Sequence, residues 1–206
     1  MEKTKVLIVD DHAILRMGLK SLLETKKDIE VVGDASNGEI AVRKAAKLKP
    51  DVAIVDLMMP GMDGAETTRR IRTAAPETKV LILTSFGTAD ALAHALRAGA
   101  SGAVMKNVEF PELVGAIRTL AAGGRAVSAE IERFLSEEPP IPSLSPRQTE
   151  ILESIIRGLS NNDIAKQLDI SVDVVKEHVN TLFAKIGAAN RTEAATRALR
   201  RHLLKI

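Results

Sequence analysis

The chain contains no cysteine, no tryptophan and no tyrosine. Without cysteine there is no disulfide framework, no thiolate zinc site and no thiol nucleophile. Four phenylalanines are the only aromatic residues among 206. A base-stacking platform for single-stranded nucleic acid therefore lacks material, and Val, Ile, Leu, Ala and Met must fill the interior. Long apolar runs are missing too: nothing approaches the ~20 residues needed to span a bilayer. Met1–Asp11 reaches acids after only Val6–Val9, too short a run for a secretory signal. These absences predict a soluble, cytoplasmic protein with no membrane partner.

Neither sign of charge dominates, at 29 basic and 27 acidic residues. Their placement is uneven: residues 1–124 carry a net +1, residues 125–143 a net −2 and residues 144–206 a net +3. A neutral first part, an acidic joint and a basic last part suggest two domains. The basic excess permits nucleic-acid binding without requiring it.

What is present is organised around Asp51–Gly64, DVAIVDLMMPGMDG. The apolar run Val52–Val55 stops at Asp56, and Pro60-Gly61 follows shortly, which reads as a buried strand running into a loop. Asp56 thereby falls at the strand's carboxyl end, where open α/β sheets place their ligands. Alone it would read as a solvated loop acid.

The flanking chain supplies its company. Lys5–Val9 has a strand pattern ending at Asp10 and Asp11, and Ala13–Leu23 has helical spacing. Glu30–Gly33 is a short strand, and Ser36 with Glu39 is predicted to form a capping box opening a helix to Leu48. Helix Asp63–Thr73, strand Lys79–Leu83 with Thr84, helix Thr88–Ala98 and strand Ala103–Met105 with Lys106 follow. A last helix opens at Pro111 and runs to Gly123-Gly124. Five strict βα units predict a doubly wound, five-stranded parallel sheet. All strand ends then share one edge, which collects Asp10, Asp11, Asp56, Thr84 and Lys106. Three crowded carboxylates call for a hard cation such as Mg²⁺. A lysine and a hydroxyl beside them suit phosphoryl transfer, which is mainly positioning and charge neutralisation.

After a Pro-rich stretch, Pro139–Pro142, and with room for one short helix over Ser128–Leu135, a second pattern begins. Ser145-Pro146-Arg147-Gln148 is a dense helix start. Ser160 caps a second helix, and the turn Asp169–Ser171 leads into a third over Val172–Ile186. Asn190 and Glu193 are predicted to box a fourth, reaching Leu204. The second and third helices make an all-α helix-turn-helix. The third puts Val175, Val179, Leu182 and Ile186 on one face and Asp173, Lys176, Glu177, Asn180 and Thr181 on the other. That second face suits the major groove of double-stranded DNA.

Residues 1–122 resemble a response-regulator receiver domain, through VDDH (9–12), VDLMMPGMDG (55–64), LTS (83–85) and AGASGAVMK (98–106). Residues 144–206 resemble the LuxR-type helix-turn-helix of NarL/FixJ response regulators, through LSPRQTEIL, GLSNNDIAKQLDIS, VVKEHVNTLFAKIG and RTEAA, with 123–143 as linker. The resemblance implies Asp56 as phosphoacceptor, and a Mg²⁺ site of Asp10, Asp11, Asp56 and the Met58 carbonyl. It implies Thr84 as switch hydroxyl and Lys106 as phosphate-pairing base. It also implies Lys176, Glu177 and Asn180 facing bases, and His178 and Arg191 meeting DNA phosphates. A sensor histidine kinase as donor and a phosphorylated homodimer on DNA follow from the same likeness.

Two positions depart from the pattern. The strand-five switch aromatic is Ala103, and the residue after the lysine, often Pro, is Asn107. A haloacid-dehalogenase-like phosphohydrolase would carry a second acid two residues past Asp56, where Met58 stands, so the chain is not expected to be an enzyme. A regulator that binds DNA regardless of phosphorylation, its receiver only a dimerisation module, is the remaining alternative.

Overall fold

Four consecutive β-branched or small residues, Val52–Val55, offer no polar face to water, so the strand that carries them must sit mid-sheet with both faces covered. In the computed structural model all four are fully buried. The structure describes residues 3–85, 88–137, 144–201 and 203–204, so Pro139–Pro142 lies outside the described residues. The chain divides into two units, between Pro139 and Pro140.

The first unit is a parallel sheet in the order β2-β1-β3-β4-β5-β6. Its strands are β1 (Thr4–Val9), β2 (Ile29–Ala35), β3 (Val52–Asp56), β4 (Lys79–Thr84), β5 (Gly102–Met105) and β6 (Ala126–Val127). Helices α1 (Ala13–Leu23) and α5 (Phe110–Ala121) cover one face with Leu19, Leu23, Leu113, Ile117 and Leu120. The other face is covered by α2 (Gly38–Leu48), α3 (Gly64–Ala74), α4 (Ala89–Arg97) and α6 (Ala129–Glu137). The strand order reverses about β1 and β3, which opens a crevice at their carboxyl ends.

The sheet has six strands rather than the expected five. Only two residues of β6 pair with β5, Ala126 opposite Gly102 and Val127 opposite Ala103. So short a strand leaves no alternation to read. The segment expected as linker from residue 123 thus carries β6 and α6, with Ile131 fully buried in the core.

Two caps also differ. The α2 cap is Asn37, not Ser36, its side-chain oxygen accepting from Ile40 N at 2.9 Å. In the second unit α7 (Pro146–Ile156), α8 (Asn161–Leu168), α9 (Val172–Ile186) and α10 (Arg191–Arg200) enclose their own core of Ile151, Leu152, Ile164, Val175, Leu182 and Ala194. Reciprocal capping boxes form at Ser145–Gln148 and Ser160–Asp163. At α10, Asn190 accepts from Glu193 N, but the Glu193 carboxylate reaches Ala189 N at 2.8 Å instead of closing the box. That helix stops at Arg200, short of the expected Leu204.

Candidate functional site

The β3 carboxylate is delivered by the strand itself: Asp56 is the last residue of β3 and is 4% exposed. The loop beyond it turns sharply at Gly61, whose φ of +77° is open to glycine at little cost. It returns so closely that a Cβ on Gly64 would stand 2.4 Å from the Asp56 carbonyl oxygen. Gly64 N donates to Leu57 O at 2.9 Å, and Asp63 caps α3 through Glu66 N at 2.8 Å. The loop's path around Asp56 is therefore fixed by backbone contacts and a cap.

Asp10, directly after β1, is 2% exposed. Lys106, directly after β5, reaches over the end of β4 and places Nζ 2.7 Å from Asp10 Oδ2 and 3.0 Å from Asp56 Oδ2. Its backbone N–H donates to Thr84 O at 2.6 Å, which seats the lysine on the end of β4. Thr84 is the last residue of β4, buried, and its hydroxyl has no hydrogen-bond partner among the described residues. Met58 N meets Asp56 Oδ1 at 3.5 Å.

The sequence reading missed two neighbours. Arg16 on α1 donates to the Asp10 carbonyl at 2.8 Å and the Asp11 carbonyl at 3.2 Å, while its Nε bonds Asp34 at 3.0 Å. It clamps the acidic turn from beneath. His12 Nδ1 lies 3.1 Å from Asp10 Oδ1 and 2.9 Å from Asp11 Oδ1. The partner of Arg16 on β2 is 18 residues away in the chain, so no local spacing announces it.

Burial pushes the Asp56 carboxyl above the usual aspartate range, against the pull of Lys106, and the nearby Asp10 charge adds to the rise. Burial opposes the charge on Lys106, but Asp10 and Asp56 outweigh it and hold the ammonium above the usual lysine range. One ammonium faces several acids. Ligand atoms of Asp10, Asp11, His12 and Asp56 lie within 4.8 Å of one another. An oxygen-rich set with uncompensated negative charge could hold a hard divalent cation.

In the second unit, α9 buries Val175, Val179, Leu182 and Ile186. Asp173, Lys176, Glu177, Asn180 and Thr181 are exposed, as the spacing predicts, and His178 is half-buried. Lys176 Nζ pairs with Asp173 at 3.0 Å within the helix. The left-handed Asp169, φ +52°, ends α8, and Ser171 caps α9. The buried Gln148 ties this helix to the first: its Oε1 accepts from Lys185 Nζ at 2.9 Å and from Ser145 N at 3.1 Å. Arg191 is partly turned inward. Its guanidinium donates to the Leu159 carbonyl and to Asn161 Oδ1, and burial lowers its pKa from the usual arginine value.

Two family models match the chain: the response regulator receiver domain over residues 6–118, and the bacterial regulatory proteins of the luxR family over residues 142–198. The transcriptional regulatory protein LiaR of Bacillus subtilis is 38% identical, covering 97% of this chain and 99% of its own. The chain belongs to the response regulators with a LuxR-type DNA-binding domain. A response regulator of this kind is a DNA-binding transcription regulator and not an enzyme. Among solved structures, the response regulator ChrA of a heme-sensing two-component system is similar at 35% identity and a TM-score of 0.60, covering 99% of this chain and all of that one. RcsB of Salmonella enterica serovar Typhimurium, bound to a promoter in the presence of the phosphomimetic BeF₃⁻, aligns at 26% identity and a TM-score of 0.71, covering 95% and 98%. The receiver match of this response regulator spans Asp10, Asp11, Asp56, Thr84 and Lys106, and the luxR match spans α7 to α9 and most of α10. No helix among the described residues is long and apolar enough to cross a membrane.

Proposed function

We propose that this response regulator accepts a phosphoryl group on Asp56 from a sensor histidine kinase and uses it to control dimerisation and sequence-specific DNA binding in the cytoplasm. An Asp56 carboxylate oxygen attacks phosphorus, the phosphohistidine N–P bond breaks, and the histidine nitrogen leaves with its electron pair. Asp10, Asp11, Asp56 and the Met58 carbonyl are the residues that would hold Mg²⁺, which supplies neutralisation of charge on the phosphoryl oxygens. Lys106 exchanges its bond to Asp56 for a phosphoryl oxygen, and the unpartnered Thr84 hydroxyl takes another. The observation that carries this reading is the ammonium of Lys106 held between Asp10 and Asp56, at 2.7 and 3.0 Å. A buried acid next to a positioned cation is prepared for the negative charge of a phosphoryl group.

In the second unit, Lys176, Glu177 and Asn180 face base edges of double-stranded DNA, while His178 and the remaining Arg191 donors meet backbone phosphates. A homodimer places two such helices on paired half-sites. The receiver occupies 1–122 extended by β6 and α6, and residues 144–206 form the DNA-binding domain.

A second reading has one observation in its favour. Ala103 is fully buried on β5 and offers only a methyl where a mobile aromatic ring is usual. A chain without that readout would bind DNA independently of phosphorylation, with its receiver as a dimerisation module. DNA affinity of the full chain with Mg²⁺, with and without beryllofluoride, separates the two. The proposal expects tighter binding with beryllofluoride in the native chain and none in Asp56→Asn. Equal affinity throughout establishes the second reading.

A further inference from the structure

Thr84 is buried at 3% exposure and its hydroxyl is unpartnered among the described residues. A buried hydroxyl without a partner is costly, so its state is sensitive to any acceptor brought near it. By the two-residue alternation of strands, Thr84 shares a sheet face with Ile82, and its register partner Met105 shares that face with Ala103. On this face lies a cavity of about 150 Å³. Thr84, Leu57, Leu92 and Met105 line one side, and Ile131 and Phe134 of α6 line the other. An enclosed apolar void of about 150 Å³ accepts a single benzene ring; this one is partly open, with Glu130, Arg133 and Glu137 also lining it. From β5 it is lined by Met105, and Ala103 supplies no ring to it.

The helix across the cavity is held unevenly. Its start is fixed by β6 on the sheet edge and by the fully buried Ile131. Towards its end Phe134 and Leu135 are only partly buried against the same core, and Arg133 and Glu137 stand at the rim. After α6 the next described element is α7 of the DNA-binding unit, so its last turn is where the receiver hands the chain over.

We propose that Phe134 is the positioning residue that carries the state of Thr84 to α6. When Thr84 turns its hydroxyl to a phosphoryl oxygen on Asp56, its side chain leaves the cavity wall and the void grows. The Phe134 ring moves in to fill it, because unfilled apolar space forfeits contacts on every wall, and the last turn of α6 closes on the sheet. The ring that reads the switch thus comes from the helix leading to the DNA-binding unit. This rests on the reading of Asp56 as phosphoacceptor.

The test is amide exchange of residues 129–137 in the full chain with Mg²⁺, with and without beryllofluoride, while fluorine NMR reports bound beryllofluoride. In the native chain, exchange at 133–137 should slow on the order of tenfold with beryllofluoride bound. Phe134→Ala should bind beryllofluoride equally and lose that slowing, and Phe134→Leu, which keeps an apolar side chain at the cavity, should restore most of it. Full slowing in Phe134→Ala, or no slowing in the native chain with beryllofluoride bound, overturns the role of Phe134. Absence of bound beryllofluoride in the native chain overturns the acceptor assignment itself, and the coupling with it.

Discussion

Lys106 Nζ sits 3.0 Å from Asp56 Oδ2 although the two residues end strands that have β4 between them. The lysine crosses that strand end because its own backbone is anchored to Thr84 O, which aims the side chain back over the sheet edge. Burial raises the pKa of this carboxyl, and Lys106 offsets only part of that rise. Several measurable consequences follow from how incomplete the compensation is.

The first is a pH-dependent gain in stability from Asp56→Asn. Burial raises the Asp56 pKa above its unfolded value of 3.8, so its protonated form is the better one to bury. For an acid raised on folding, the favourable contribution is present below 3.8 and lost as pH climbs through the folded value. The amide variant should therefore be more stable than the native chain at pH 7.5 without metal, and nearly equal to it at pH 3.5. Urea unfolding at the two pH values checks this, and a less stable variant at pH 7.5 would contradict it.

Asp11→Ala should act on the cation. Removing one carboxylate from the group within 4.8 Å takes away an oxygen ligand and part of the mutual repulsion. Mg²⁺ should bind about tenfold more weakly or worse by titration calorimetry, while the metal-free protein melts no lower than the native one. Unchanged Mg²⁺ affinity would move the cation site away from the acidic turn.

For DNA, two substitutions should separate by kind. Asn180 is exposed on α9 and its side chain has no hydrogen bond among the described residues, so Asn180→Ala should cost about 1–3 kcal/mol on the cognate duplex only. Arg191 is bonded to Leu159 and Asn161. Arg191→Ala should destabilise the DNA-binding unit by about 1–3 kcal/mol. It should also weaken cognate and scrambled duplexes alike, with a salt slope lower by roughly one unit. Denaturation and salt titration of the full chain provide both readings. An Asn180→Ala variant that weakens both duplexes equally would remove Asn180 from the base-facing set.

Much of this was legible in the sequence wherever the signal is local. Strand ends at Asp10, Asp56, Thr84 and Lys106 follow from apolar runs that stop at polar residues, and parallel topology then brings them together. The α9 face followed from the 3.6-residue period, and Ser145–Gln148 and Ser160 from capping chemistry. What stayed hidden depends on distance or on choice between equals. Ser36 and Asn37 are both good caps, and only the extended backbone at Asn37 selects it. The Glu193 carboxylate accepts from Ala189 N rather than from the cap residue's own N–H. The two residues of β6, the reach of Arg16 to Asp34 and the cavity behind Thr84 exist only once the chain has folded back on itself.

The central claim is that the acid between Asp10 and Lys106 is where the phosphoryl group lands. The direct measurement is incubation of the full chain with Mg²⁺ and acetyl phosphate, followed by borohydride trapping and peptide mass spectrometry. The account predicts one modified residue, Asp56, converted to homoserine in the native chain, and no modification in Asp56→Asn. Trapping at any other residue, or equal labelling of Asp56→Asn, would contradict it.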